Sequence, residues 1–236
     1  MEKVLHRAAE RGVGDHDWLK SRFSFSFAHW YEPTRMGFGV LRVINDDVIA
    51  PASGFGAHSH QNMEIITIVM KGTVTHKDSI GNIGTVPAGD VQVMSAGTGV
   101  VHSEYNDSPE EELRLFQIWI ESESNGIAPR YAQKSFGNEP GSKLLVAPDE
   151  RKGALPIHQQ AFITRIRLSA GEECSYDLYD PANGIYIFVI EGTVRAADET
   201  LSARDALGVK DVSSILLSAT TSAELLVIEV PMKGYE

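Results

Sequence analysis

The run Val40-Leu41-Arg42-Val43-Ile44 stops at Asn45-Asp46-Asp47, Glu64 to Met70 stops at Lys71-Gly72, and Val91 to Met94 stops at Ala96-Gly97-Thr98-Gly99. From Gly37 onward the chain is a succession of such short alternating segments, with no sustained helical period. Apolar segments of strand length bounded by Gly, Pro and Asn-Asp are strands, and many of them at even spacing close into a sandwich or a barrel. The expected class is all-β.

The second half echoes the first. Ile66-Thr67-Ile68-Val69-Met70-Lys71-Gly72-Thr73-Val74 is similar to Tyr186-Ile187-Phe188-Val189-Ile190-Glu191-Gly192-Thr193-Val194, at an offset of 120 residues in a chain of 236. A repeat of half the chain predicts two barrels of one ancestry. Glu121 to Lys143, rich in Ser, Glu, Asn, Gly and Pro and without a sustained period, is where the chain is expected to cross between them. That places an N-terminal barrel over 1–125 and a C-terminal barrel over 126–236.

Only the first half carries a cluster of metal-competent side chains. In a strand, alternate residues share a face, so His58 and His60 point the same way, as do His102 and Glu104, and Glu64 follows at the parity of the first pair. At the repeat offset His58 and His60 fall on Leu178 and Asp180, His102 falls near Ser222, and the C-terminal half has only His158. Metal is therefore expected in the first barrel alone. Imidazole and carboxylate donors without thiolate suit a first-row divalent ion with open coordination positions, whereas closed structural zinc sites favour cysteine. The one cysteine, Cys174, has no partner for an internal disulfide and is read as a small buried apolar residue. Its isolation fits a reducing compartment, and the expected location is cytoplasmic.

Charge narrows the partners. Thirty-two acidic residues against 21 basic give a net charge of -11, which disfavours direct binding to nucleic acid and leaves a protein partner open. The start of the chain lacks a signal-length apolar stretch, and the longest apolar runs, near Ile65 to Met70 and Leu225 to Val230, are strand-sized, so no membrane association is expected.

Other features have plainer readings. Gly97-Thr98-Gly99 precedes no helix and reads as a tight turn, not an anion cradle. Phe23, Phe25, Phe27, Trp30 and Tyr31 read as core, Phe55 and Met63 as candidate pocket walls, His76 as solvent-exposed, and Glu110-Glu111-Glu112 as a solvated loop.

His58-Ser59-His60-Gln61-Asn62-Met63-Glu64 with Gly72 resembles the first cupin motif, and Gly81, Pro87, Gly89, His102 and Asn106 resemble the second. More narrowly, Ser24-Phe25-Ser26-Phe27-Ala28, Arg42-Val43-Ile44-Asn45-Asp46-Asp47, Gly54-Phe55-Gly56, His76 to Asn82, and Met94 to Gly99 with His102-Ser103-Glu104 resemble the pirin family over about residues 20 to 120. The resemblance implies a bicupin, two double-stranded β-helix (jelly-roll) barrels, the first holding one divalent metal ion through His58, His60, His102 and Glu104. Iron(II) is the usual ion, with manganese, cobalt, nickel, copper or zinc as alternatives. Glu64 occupies the position that many other cupins use as the ligand, and it is left as a nearby base or hydrogen-bond acceptor. Bacterial pirins resemble quercetin 2,3-dioxygenases, which implies a small aromatic substrate, dioxygen, release of carbon monoxide, and Glu104 or Glu64 as the catalytic base. Animal pirins imply a different reading, a metal-dependent redox-sensing protein that regulates a protein partner.

Overall fold

Along Met63–Lys71, even-numbered Ile66 and Ile68 pack into one hydrophobic cluster and odd-numbered Ile65 and Val69 into others. Such a strand is buried on both faces, which is why it reads as an almost unbroken apolar run. The computed structural model of the chain describes residues 1–232. They form two seven-stranded and two four-stranded sheets, with two single-turn 3-10 segments, Ala8–Glu10 and Arg151–Gly153, and no α-helix among the described residues.

Each seven-stranded sheet faces a four-stranded one across a barrel lumen. In the first barrel the larger sheet contains Leu41–Ile49, Met63–Lys71, Asp90–Ser95 and Leu113–Glu121, and the smaller contains Ser53–His60, Thr73–Asp78, Ile83–Pro87 and Val100–Asn106. In the second, the corresponding sheets are built around Asn183–Glu191 with Ala223–Pro231, and around Glu173–Asp177 with Ser214–Ala219. The two large sheets pack back to back through a shared apolar layer that includes Ile66, Phe116, Ile118, Tyr186, Phe188 and Ile228, with Phe116 edge-on to Phe188 at 5.4 Å between centroids. Two cupin barrels joined in this way are the bicupin expected from the repeat.

The repeat is exact in its turns. Met63–Lys71 leads through Gly72 into Thr73–Asp78, and Asn183–Glu191 leads through Gly192 into Thr193–Ala196. Both glycines are left-handed, at φ 78° and 80°. A Cβ on Gly72 would sit 3.2 Å from the Glu112 carbonyl, whereas on Gly192 it would collide with the Ser222 carbonyl. Gly192→Ala is therefore expected to lower stability by about 2 kcal/mol or more, and Gly72→Ala by about 1 kcal/mol, in urea unfolding.

Chain halves and sheets do not coincide at 125/126. Glu2–His6 pairs antiparallel with Ala206–Lys210 of the second barrel, and Arg130–Ser135 pairs antiparallel with Asp90–Ser95 of the first. Each half thus lends an edge strand to the other barrel. The strand Arg130–Ser135 lies inside the stretch expected to be an aperiodic crossover; as a half-exposed edge strand it lacks the buried face that leaves an apolar pattern.

The two lumens differ in chemistry. The second is filled by an aliphatic cluster including Ile166, Ile185, Ile187, Val189, Leu217 and Val227. Cys174 packs partly buried at its edge, and burial raises its thiol pKa. The first lumen has small apolar clusters at its ends, Ile49 with Val69, Val74 and Leu115, and Ile65 with Met94 and Val100. Among the buried polar residues of this barrel are Asn45, Asp47, Thr67, His76, Gln92, His102, Glu104 and Gln117. Polar groups in that number are tolerable only where they bond one another or a bound species.

Candidate metal centre and its cavity

Alternation along Val100–Asn106 turns His102, Glu104 and Asn106 inward and Val101 and Tyr105 out. His102 lies directly across the ladder from His58 of Ser53–His60, and a register shift between His102 and Glu104 sets Glu104 opposite Phe55. The imidazole centroids of His58, His60 and His102 are 4.4 to 5.0 Å apart, and one nitrogen of each lies within 4.8 Å of the others. His58 Nδ1 is 2.8 Å from the Gly56 carbonyl, which can only accept, so Nδ1 carries the proton and Nε2 keeps its lone pair. His102 is 2% exposed, and neither of its nitrogens has a hydrogen-bond partner. A buried imidazole with both nitrogens unpartnered, between two others, fits a metal ligand.

Glu104 is held by three side chains. Its Oε1 accepts from Thr67 Oγ1 at 3.0 Å and from Gln92 Nε2, and its Oε2 accepts from Gln117 Nε2. Tyr131, on the strand lent by the second half, donates to Gln92 Oε1 at 3.1 Å. Glu104 shares a second group of converging donor atoms with His102 and His76. His58, His60 and His102 form one converging group and His76, His102 and Glu104 a second, joined at His102, and the nitrogen and carboxylate donors present fit a divalent ion.

Electrostatics separate the nitrogens from the carboxylate. Burial pulls His60 down to about 4 and His102 to about 3, with the neighbouring imidazoles adding to the effect, so both rings are neutral and ready to bind at pH 7. Burial pushes Glu104 the other way, to about 7; its hydrogen bonds oppose the rise, and the charge of Asp47 adds to it. The folded state therefore holds a proton that the unfolded chain, with a carboxyl near 4.5, has already lost, and Glu104 costs stability as pH rises from about 4.5 through about 7. A metal bound through Glu104 would displace that proton. The affinity of the metal-free protein for a divalent ion is then expected to fall by up to about tenfold per unit as pH drops below about 7, and Glu104→Gln to lessen that slope. Calorimetric titration between pH 5.5 and 8 checks both.

Two sequence readings change here. Glu64 does not join the histidines. His60 ends one strand, Asn62 is left-handed at φ 51°, and Met63 begins a strand of the other sheet, so the parity count from His58 does not survive the hairpin. Glu64 is fully buried, with Oε2 accepting from Ser95 Oγ at 2.6 Å and Oε1 from Ser122 Oγ at 2.8 Å. His76 is buried, not solvated: Nε2 is 3.0 Å from Asp78 Oδ2, and the ring stacks on Tyr131 with centroids 4.5 Å apart. Its strand alternates Val74, His76 and Asp78 inward.

Over the histidines lies a cavity of about 340 Å³ walled by Trp18, Leu19, Phe23, Phe27, Phe55 and Trp119. Phe55 is the pocket wall expected of it, while Met63 packs instead beside Ile65 and Met94. Phe25 is core, Phe23 and Phe27 line the cavity, and Tyr31 is exposed. Thr67, Gln92, Gln117 and Tyr131 were not singled out in the sequence. A signal existed for three of them: each is a lone polar residue inside an apolar run, Ile66-Thr67-Ile68, Val91-Gln92-Val93 and Phe116-Gln117-Ile118.

A two-barrel cupin whose second lumen is filled mainly by aliphatic side chains, and whose first bears three histidines and a glutamate under an aromatic cavity, defines the class: a bicupin whose candidate metal groups, among the described residues, both include His102 of the first barrel. Residues 6–120 match the family described as Pirin, and 144–230 match the Quercetinase C-terminal cupin domain. The chain is 45% identical to a quercetin 2,3-dioxygenase of Escherichia coli K12, covering 96% of this chain and 98% of that protein. It is also 45% identical to a pirin-like protein of Caulobacter vibrioides, over 92% and 95% of the two. The crystal structure of the bacterial pirin YhhW of Escherichia coli in complex with nickel(II) superposes with a TM-score of 0.94 at 44% identity, covering 98% of this chain and 100% of that one. The chain belongs to the pirin family.

Proposed function

We propose that this protein is a metal-dependent dioxygenase that opens a flavonol such as quercetin with dioxygen and releases carbon monoxide. The observation that carries the proposal is that the converging histidines His58, His60 and His102 line one aromatic-walled cavity together with Glu104. The names of the relatives support it, and a donor set of nitrogen and oxygen without thiolate accommodates iron(II), the ion the family resemblance implies, as it does manganese, cobalt, nickel, copper or zinc. When bound, such an ion acidifies a coordinated phenol and opens a path for electrons to dioxygen.

The chain's own residues do the rest. Glu104, held beside the histidines by Thr67, Gln92 and Gln117, is the carboxylate placed to take the proton of the flavonol 3-hydroxyl. Gln92, Gln117 and Thr67 fix the direction of its carboxylate, so little reorganisation accompanies the transfer. Trp18, Phe23, Phe27, Phe55 and Trp119 offer flat apolar surfaces that hold a planar ring system and exclude water. Glu64 has its oxygens engaged by Ser95 and Ser122 and does not line this cavity, which favours Glu104 over Glu64 as the base.

Glu104→Gln keeps the shape and cannot take the proton. In aerobic assays of quercetin loss its kcat is expected to fall by about 10²- to 10⁴-fold, while Glu64→Gln stays within a few-fold of wild type. A wild-type rate in Glu104→Gln contradicts the assignment.

A further inference from the structure

The strand Leu41–Ile49 contributes two polar residues, Asn45 and Asp47, to the lining of the cavity. Asn45 and Asp47 are two apart, face the same way, and are 4% and 2% exposed. The Oδ1 atom of each is buried without a hydrogen-bond partner. Their neighbours do not satisfy them. Across the ladders Asn45 faces Phe23 and Gln117, the latter spending its amide on Glu104 and Thr67, while Asp47 faces Ser21 and Leu115. Burial pushes the Asp47 carboxyl up to about 7, so it accepts as a carboxylate above that pH; Ser21 donates to it, which still leaves Oδ1 unmet.

Two adjacent acceptors buried without donors weaken a fold unless something else supplies the donors. Both line the same cavity as His58, His60, His102 and Glu104. A site that presents buried acceptors rejects an analogue lacking the matching hydroxyl far more strongly than an apolar wall rejects a misfit.

We propose that Asn45 and Asp47 are specificity-determining residues that accept hydrogen bonds from phenolic hydroxyls of the substrate other than the 3-hydroxyl, so that the cavity selects polyhydroxylated aromatic molecules. The inference rests on the flavonol reading above and adds to it the part of the molecule that is recognised. The cavity is also lined by His16, Ser21, His29 and Gln117, but Asn45 and Asp47 are the lining residues outside the metal centre whose buried oxygen atoms have no partner, so the polar selection is placed on these two.

The test compares two probes, quercetin and 3-hydroxyflavone, which share the 3-hydroxyl and 4-keto group and differ in the remaining hydroxyls. Equilibrium binding to the metal-loaded protein is followed without oxygen through the fluorescence of Trp18 and Trp119. Wild type is expected to prefer quercetin by about tenfold or more, the scale of one hydrogen bond to a buried polar acceptor. Asp47→Leu and Asn45→Leu should each reduce that preference while leaving the affinity for 3-hydroxyflavone within about twofold, and Asp47→Asn, which can still accept, should restore part of it. An unchanged quercetin preference in both leucine variants overturns the inference while leaving the flavonol reading standing. Failure of wild type to bind either probe overturns the flavonol reading and this inference with it. Should Asp47→Leu not fold, Asn45→Leu and Asp47→Asn decide the question.

Discussion

Replacing His102 by alanine is expected to abolish metal retention and reduce flavonol turnover to below about 1% of wild type, since even residues that only orient a ligand cost 10- to 100-fold. His102 is the central imidazole, 4.4 Å from His58, 5.0 Å from His60 and 5.5 Å from His76 between ring centroids, and both groups of converging donors contain it. Its removal should leave the fold largely intact. Neither ring nitrogen bonds to protein, so the variant orphans no partner and loses only packing at the lumen. The distinguishing signature is in thermal unfolding. Wild type should gain about 2.7 kcal/mol of stability at a metal concentration 100 times its Kd, and His102→Ala should gain nothing. Metal analysis after dialysis, together with melting curves with and without added ion, checks this; a variant that retains metal at wild-type level contradicts the ligand set.

The second large effect lies in the other barrel and concerns stability. Glu229 is fully buried on Ala223–Pro231. Its Oε2 accepts from Tyr176 Oη at 2.9 Å and the Tyr179 amide at 3.0 Å, and its Oε1 from the Asp180 amide and Asn183 Nδ2, both at 2.9 Å. One carboxylate thus closes the segment between Glu173–Asp177 and Asn183–Glu191. Glu229→Ala removes the acceptor of four donors in a place water does not readily reach, and is expected to cost about 4 kcal/mol, a large share of the 5 to 15 kcal/mol that holds a typical domain. Glu229→Gln should also destabilise, because one carboxylate oxygen becomes a donor facing donors. Urea unfolding read in the metal-free protein measures both, and a shift under about 1 kcal/mol for Glu229→Ala contradicts the account of this segment.

The inward placement of the candidate ligands was legible because strand alternation is a local rule: within Ser53–His60 and within Val100–Asn106 the parity of each side chain survives, so His58, His60, His102 and Glu104 could be read as pairs on shared faces. The repeat was legible for a similar reason, since Gly72 and Gly192 end equivalent strands in the same left-handed turn. Glu64 failed because parity was carried across Gln61-Asn62, where the chain turns into a different sheet. His76 failed because its charged flanks, Lys77 and Asp78, masked the inward alternation of Val74, His76 and Asp78. Exchange of Glu2–His6 and Arg130–Ser135 between barrels leaves no local pattern, because strand pairing is a tertiary choice. With it the contact of Tyr131 with the network around Glu104 also lay out of reach.

Pirin membership and the fold rest on the whole chain, whereas the proposed chemistry rests on the cavity of about 340 Å³ over the histidines. Among the described residues no helix is long and apolar enough to cross a membrane. The most direct measurement is the joint stoichiometry of quercetin loss, dioxygen uptake and carbon monoxide release, taken on one sample whose metal content is determined. Equimolar consumption of quercetin and dioxygen with equimolar carbon monoxide is the predicted result. Loss of quercetin without carbon monoxide, or no loss from fully metal-loaded protein, would contradict the proposed reaction.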